Sequence, residues 1–73
     1  MDKVISFLEN NGFEKLTDNN YWNDTCNVKF QDGGGYAVSD KLDNTMYSID
    51  NNIYWLIGVL TYYGFIDKNY VDI

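Results

Sequence analysis

The architecture of this chain is set by residues 26–38, which read Cys-Asn-Val-Lys-Phe-Gln-Asp-Gly-Gly-Gly-Tyr-Ala-Val. Cys26, Val28 and Phe30 alternate with polar residues, and the alternation resumes at Tyr36 and Val38 after the three glycines. A period of two residues is typical of a β-strand with one buried face, and glycines between two such segments predict a hairpin loop. The sequence therefore predicts an antiparallel sheet in the middle of the chain.

Weaker extended segments flank this hairpin on both sides. Residues 13–17 continue into Tyr21 and Trp22 as an irregular strand that an Asp-Asn-Asn turn interrupts at residues 18–20. We predict that residues 45–47 form a last short strand after a turn at residues 40–44. Asp and Asn favour such turns because their side chains bond to the nearby backbone. We expect the regular part of the sheet to be a three-stranded antiparallel meander.

A helix is predicted on each side of the sheet. In the first, Val4, Ile5 and Leu8 recur at helical spacing. The second lies within the uncharged residues 51–66, which read NNIYWLIGVLTYYGFI, and we expect Ser48 or Asp50 to cap it. Both helices are followed by Gly-Phe, at residues 12–13 and 64–65, and this pair predicts a Schellman motif at each helix end.

These elements predict an α+β fold of order α-β-β-β-α, in a single domain over residues 1–73. Because each helix has an apolar stripe and the strands have one apolar face, both helices should pack on one face of the three-stranded sheet. A domain of this size buries only about 60% of the surface of its unfolded chain. Its core therefore depends on large side chains, which an aromatic content of 18% supplies. We expect no bound cofactor.

The single cysteine, Cys26, has no partner for an internal disulfide. No secretory leader is recognisable before the first helix, so we expect a reducing, cytoplasmic location. The uncharged run is shorter than the roughly 20 residues that span a bilayer, and it contains Asn, Thr and three Tyr. We expect no membrane insertion.

The charge of the chain argues against nucleic acid as a partner. The chain has eleven acidic residues and five lysines, which gives a net charge of −6, and it has neither Arg nor His. Protein affinity for DNA or RNA comes largely from cationic side chains that neutralise phosphates. The acidic surface instead favours a basic protein partner, or serves only to keep a small domain soluble.

The residues needed for catalysis or metal binding do not form a recognisable pattern. No His is present to activate Cys26 or a serine, and alternation places Cys26 on the apolar strand face. The glycine run lacks the Lys and Ser/Thr of a P-loop, and the acidic turns at residues 18–20 and 40–43 lack the ligand spacing of an EF-hand. We predict no catalytic, cofactor-binding or metal-binding residues and no enzymatic activity.

Residues 7–15, which read FLENNGFEK, resemble the first helix and turn of HicA-type toxins, and residues 60–65 are similar to the end of their closing helix. That family has a helix, three-strand, helix core like that of double-stranded-RNA-binding domains, so the resemblance implies this fold. The catalytic His and the basic strand residues of the family have no counterpart at residues 18–24, so the activity is not implied. Residues 45–48 and 52–58 also resemble small uncharacterised proteins of phages and mobile elements, which implies an origin and no mechanism.

The second helix carries two apolar stripes on opposite sides. One is expected to face the sheet and consists of Ile53, Leu56, Ile57, Leu60 and Tyr63; the other consists of Trp55, Gly58, Val59 and Tyr62. A helix that is apolar all round has to be covered on both sides. We therefore predict a non-catalytic protein-interaction module whose partner-binding residues are Trp55, Gly58, Val59 and Tyr62.

Several alternatives remain open from the sequence. The first helix, or a C-terminal segment with Tyr70, Val71 and Ile73, would cover the second stripe within one molecule. A second copy of the chain would cover it in a homodimer. A nucleic-acid-mimicking inhibitor would need its acidic loops on one side, with Asp18, Asp24, Asp32, Asp40 and Asp43 together. An enzyme that uses carboxylates and a metal is the weakest alternative.

Overall fold

The computed structural model describes residues 2–67. The elements follow in the order α1 (Asp2–Asn10), β1 (Glu14–Thr17), β2 (Asn20–Trp22), β3 (Cys26–Phe30), β4 (Tyr36–Asp40), β5 (Met46–Ile49) and α2 (Ile53–Tyr62). The five strands form one antiparallel sheet, and their order in space is their order in the chain. The predicted α+β class and the antiparallel meander are confirmed.

The predicted count of three strands, and with it the order α-β-β-β-α, is wrong. Residues 14–22 form two strands rather than one irregular strand, because the turn at residues 18–19 reverses the chain and pairs Lys15 with Tyr21. All four residues of β1 are exposed, so this edge strand shows no alternation of apolar and polar residues. The last strand, β5, extends to Ile49, two residues beyond its predicted end.

One face of the sheet forms the core with both helices. Val28 lies opposite Val38, and Phe30 opposite Tyr36, so the two central strands present one continuous apolar face. The buried cluster on this face includes residues from both helices: Val4, Phe7, Leu8, Leu56, Ile57 and Leu60. The other face carries Asn27, Lys29, Ser39 and Ser48 among its residues. Both helices thus cover the same side of the sheet, as the apolar stripes predict.

The two helices end with the same backbone conformation. Gly12 and Gly64 have φ angles of 85° and 76°, in the left-handed region. The N–H groups of Phe13 and Phe65 donate to the carbonyl five residues earlier, at 3.0 and 2.8 Å. Both Phe side chains are buried in the core. The predicted Schellman motifs are confirmed, and each one pins a helix end to the sheet.

The predicted cap of the second helix is wrong. Ser48 lies inside β5 and Asp50 directly after it, so neither reaches the first turn of α2. The cap is Asn52, whose side-chain oxygen accepts a hydrogen bond from the Tyr54 N–H at 2.9 Å. An Asn at this position satisfies one of the free donors of the first turn.

The glycine run forms the predicted hairpin loop between β3 and β4. The Gln31 N–H donates to the Gly35 carbonyl at 3.1 Å, and the Gly34 N–H donates to the Gln31 carbonyl at 3.0 Å. Gly35 has a φ of 87°, and a Cβ atom there would lie 2.6 Å from the carbonyl oxygen of Ile49. Only glycine fits this position, because any other residue would be strained at this φ and its Cβ atom would clash with β5.

Candidate functional site

Helix α2 has one buried face and one exposed face. Leu56, Ile57 and Leu60 are buried against the sheet. Trp55 is 57% exposed and Tyr62 is 81% exposed, on the opposite side of the helix. Large aromatic side chains at this exposure are the groups that most often anchor protein interfaces.

The four predicted partner-binding residues lie together on one groove, which we name the α2 groove. Its volume is about 560 Å³, and it runs between α2 and the end of β5. Its lining residues are Ser48, Ile49, Asp50, Tyr54, Trp55, Gly58, Val59, Tyr62 and Tyr63. The structure therefore brings Trp55, Gly58, Val59 and Tyr62 into one concave surface and adds five residues to it.

Tyr63 differs from its predicted position on the core stripe. It is the C-cap of α2, with φ −91° and ψ 2°, so its backbone departs from the helical geometry that the apolar stripe requires. Its ring stacks on Tyr47 at a centroid distance of 4.4 Å and meets the edge of Tyr62 at 4.8 Å. These contacts hold one wall of the α2 groove in a fixed position, which lowers the entropy lost on binding.

Val59 contacts the core beneath the groove, whereas Gly58 leaves open space above the helix backbone. Val59 is half-buried and packs against the core cluster. A Cβ atom at Gly58 would meet nothing within 4 Å. Glycine in a helix interior costs roughly 0.5–1 kcal/mol relative to alanine, so packing among the described residues gives no reason for glycine there. Close approach of a partner to the helix backbone would give one.

Helix α1 does not cover the exposed face of α2. Trp55 and Tyr62 keep most of their surface free although α1 belongs to the same core cluster. The alternative cover, residues Tyr70, Val71 and Ile73, lies outside the described residues.

The acidic loops lie at opposite ends of the sheet. The β1–β2 turn and the β3–β4 loop, with Asp18 and Asp32, are at one end of the meander. At the other end are Asp24 in the β2–β3 loop, Asp40 at the end of β4 and Asp43 in the β4–β5 loop. A single acidic patch made of all five carboxylates, which nucleic-acid mimicry was expected to need, is therefore not formed.

The side chains of Asp40 and Asp43 accept hydrogen bonds from the backbone of the β4–β5 loop. Asp40 accepts a hydrogen bond from the Leu42 N–H at 2.8 Å, and Asp43 accepts one from the Thr45 N–H at 2.9 Å. The bond from Thr45 holds the pKa of the Asp43 carboxyl below its usual value. Among residues 2–67, no three His, Cys, Asp or Glu side chains are close enough to hold a metal ion.

Cys26 is fully buried on the apolar face of β3, where the alternation placed it. Burial raises the pKa of its thiol to about 12. The thiolate is the reactive form of cysteine, so this side chain is a small apolar core residue and not a nucleophile.

A second concavity, of about 720 Å³, lies beside the β2–β3 loop and is mostly polar. Lys41 Nζ lies 4.2 Å from the centre of the Trp22 ring and donates to the Asn23 carbonyl at 2.8 Å. These contacts use one N–H of the ammonium group and one face of the indole. The sequence does not predict this cation–π pair, because Trp22 ends β2 and Lys41 follows β4, and only the folded sheet brings them together.

The chain matches no protein family, no curated protein and no solved structure in the comparisons made with each. The resemblance to HicA-type toxins and to phage proteins therefore stays a prediction. Within residues 2–67, the helices are too short to cross a bilayer.

Proposed function

We propose that this chain is a small, acidic, non-catalytic interaction module that acts in the cytoplasm by docking its α2 groove onto another protein. The observation that supports the proposal is the exposure of Trp55 and Tyr62 on a helix whose opposite face is fully used by the core. An origin in a phage or mobile element, with a host protein as the target, rests only on the resemblance of residues 45–48 and 52–58.

The energetics of the groove favour binding over a role in folding. Trp55 buries less than half of its surface in the fold, so most of its apolar area is still available to a partner. At about 25 cal/mol per Å², covering roughly 100 Å² of indole contributes about 2.5 kcal/mol. An interface that also covers Tyr54, Val59 and Tyr62 would have the central aromatic cluster that dominates many protein complexes.

The test is a capture experiment with the tagged full-length chain in lysate of its native cell. The bait is wild type, Trp55→Ala, or the control Leu42→Ala, which removes a side chain that is 94% exposed and lies outside the groove. We expect a partner that wild type and Leu42→Ala retain and that Trp55→Ala loses. Equal recovery by all three baits would contradict the proposal.

Gly58→Ala separates binding from folding. Alanine has room in the folded chain, so the free energy of unfolding should rise by about 0.5–1 kcal/mol. If the partner approaches the helix backbone at this point, the same methyl group weakens its binding. A more stable protein that binds as tightly as wild type would remove Gly58 from the docking site.

A further inference from the structure

Strand β5 is an open edge of the sheet with unused backbone groups. The Asp40 N–H donates to the Thr45 carbonyl at 2.8 Å, which marks that pair as hydrogen-bonded between β4 and the start of β5. In an antiparallel ladder, bonded and non-bonded pairs alternate, so Met46 and Ser48 turn their N–H and C=O groups away from β4. Within residues 2–67, no hydrogen bond reaches these outward groups.

The open edge of β5 forms one wall of the α2 groove. The side chain of Ser48 pairs with Ala37 on the face of the sheet opposite to the helices. Ser48 nevertheless lines the groove together with α2 residues such as Trp55 and Val59. Since its side chain points away from α2, the part of Ser48 that faces the groove is its backbone edge.

The opposite edge of the sheet is protected in a way that β5 is not. Strand β1 carries Glu14 and Lys15, and its pairing with β2 is irregular between Lys15 and Thr17. Charged residues and bulges are the usual means by which proteins prevent a further strand from adding to an edge. Strand β5 reads Met-Tyr-Ser-Ile, without a charge, a proline or an irregular pair.

We propose that the α2 groove binds an extended segment of a partner protein, which adds to β5 as a sixth strand. The added strand is antiparallel, like the strand pairs already in the sheet, because parallel pairing is slightly less stable per residue. This proposal rests on the proposed function, since it names the form of the partner at the same site. The backbone of the segment would bond to the outward groups of Met46 and Ser48. Recognition of a strand by an open edge beside a helix combines main-chain hydrogen bonds with pockets for alternate side chains.

The groove also defines the side chains of the segment. Residues opposite Tyr47 and Ile49 would point toward α2, so two apolar side chains, two positions apart, would contact Trp55 and Val59. The residue between them would lie beside Ser48 on the open sheet face, where a small polar side chain fits. Asp50 is the charged residue that lines the groove, and the chain has a net charge of −6, so the segment should be flanked by Lys or Arg.

The test uses the full chain and a synthetic peptide, acetyl-Lys-Val-Thr-Val-Thr-Val-Lys-amide, with amide hydrogen exchange followed by NMR. In the free protein, the Met46 and Ser48 amides should exchange quickly. The Tyr47 amide should exchange slowly, because the same alternation directs it toward β4. Peptide at about 1 mM should slow the Met46 and Ser48 amides at least about tenfold and leave Tyr47 unchanged.

Two N-methylated peptides test the backbone contacts directly. Methyl groups on both Thr nitrogens remove the N–H groups that face β5, and affinity should fall at least about tenfold. Methyl groups on the Val nitrogens, which face away, should change affinity by less than about threefold. Trp55→Ala should abolish peptide binding, and Leu42→Ala should preserve it.

The other outcomes overturn the proposal in distinguishable ways. Binding that requires Trp55 but weakens equally with both methylated peptides refutes strand addition and leaves the docking function intact. No protection of Ser48 at about 1 mM peptide also refutes strand addition. Protection of Ser48 without peptide shows that the edge is already paired: by a second copy if it grows with protein concentration, and within the molecule if it does not.

Discussion

Leu60→Ala and Tyr62→Ala, two positions apart on α2, should have very different effects on stability. Leu60 is completely buried, and removing such a side chain from a core costs about 2–5 kcal/mol. Tyr62 is 81% exposed, so about a fifth of its surface is covered, roughly 40 Å², which corresponds to about 1 kcal/mol. Loss of its edge contact with Tyr63 adds about 0.5 kcal/mol.

Urea unfolding followed by circular dichroism measures this difference. A chain of 73 residues has an expected free energy of unfolding of about 4–11 kcal/mol, so Leu60→Ala removes a large part of it. With a slope of about 1 kcal/mol per molar urea, its midpoint should fall by about 2–5 M, and that of Tyr62→Ala by less than about 2 M. If Tyr62→Ala destabilises a monomeric protein as much as Leu60→Ala does, Tyr62 is a core residue and the docking surface is wrong.

Three further results are expected. Gly35→Ala should cost about 2–3 kcal/mol, because of its positive φ and the nearby Ile49 carbonyl, whereas Gly33→Ala, which has open space, should stay within about 0.5 kcal/mol in the same assay. The second result concerns Cys26, whose thiol pKa of about 12 in the folded chain exceeds the ordinary value of 9.0. Its contribution to the free energy of unfolding is therefore complete below pH 9 and is lost as pH rises toward 12. Wild type should therefore lose stability more steeply than Cys26→Ala over this range, by up to about 1.4 kcal/mol per pH unit, and equal slopes would contradict burial of the thiol. Gel-shift titrations with duplex DNA and RNA at physiological salt should show no complex, because a chain with net charge −6 repels phosphate, and a salt-sensitive micromolar complex would overturn this expectation.

The parts of the fold that follow from sequence are those in which local pattern and burial agree. The alternation of Cys26, Val28 and Phe30 correctly predicts a half-buried strand, because β3 is central and one face is the core. The Gly-Phe pairs after Gly12 and Gly64 correctly predict both helix ends, because a left-handed residue is a local requirement of the backbone.

The parts that sequence did not predict depend on neighbours in space. Strands β1 and β2 have four and three residues, and each residue of β1 is exposed, so backbone pairing rather than a side-chain pattern defines these strands. The sequence predicts only part of the α2 groove. Trp55 and Tyr62 follow from the helical wheel, but Ser48 lines the groove with its backbone, which a side-chain pattern does not show. No pattern of side chains reports which backbone groups of a strand stay unpaired.

The strictly sequential order of the strands has a consequence for how the chain folds. Each strand pairs with the one synthesised just before it, so each step closes only a short loop, and hairpins of this kind form in about 1–10 μs. The core itself needs both helices, which come from opposite ends of the described chain. A growing chain can therefore assemble its hairpins early, but it stays without a closed core until α2 has left the ribosome and docked. Interactions of Leu56 and Leu60 should form after the rate-limiting step, so their mutation should accelerate unfolding and leave the folding rate almost unchanged.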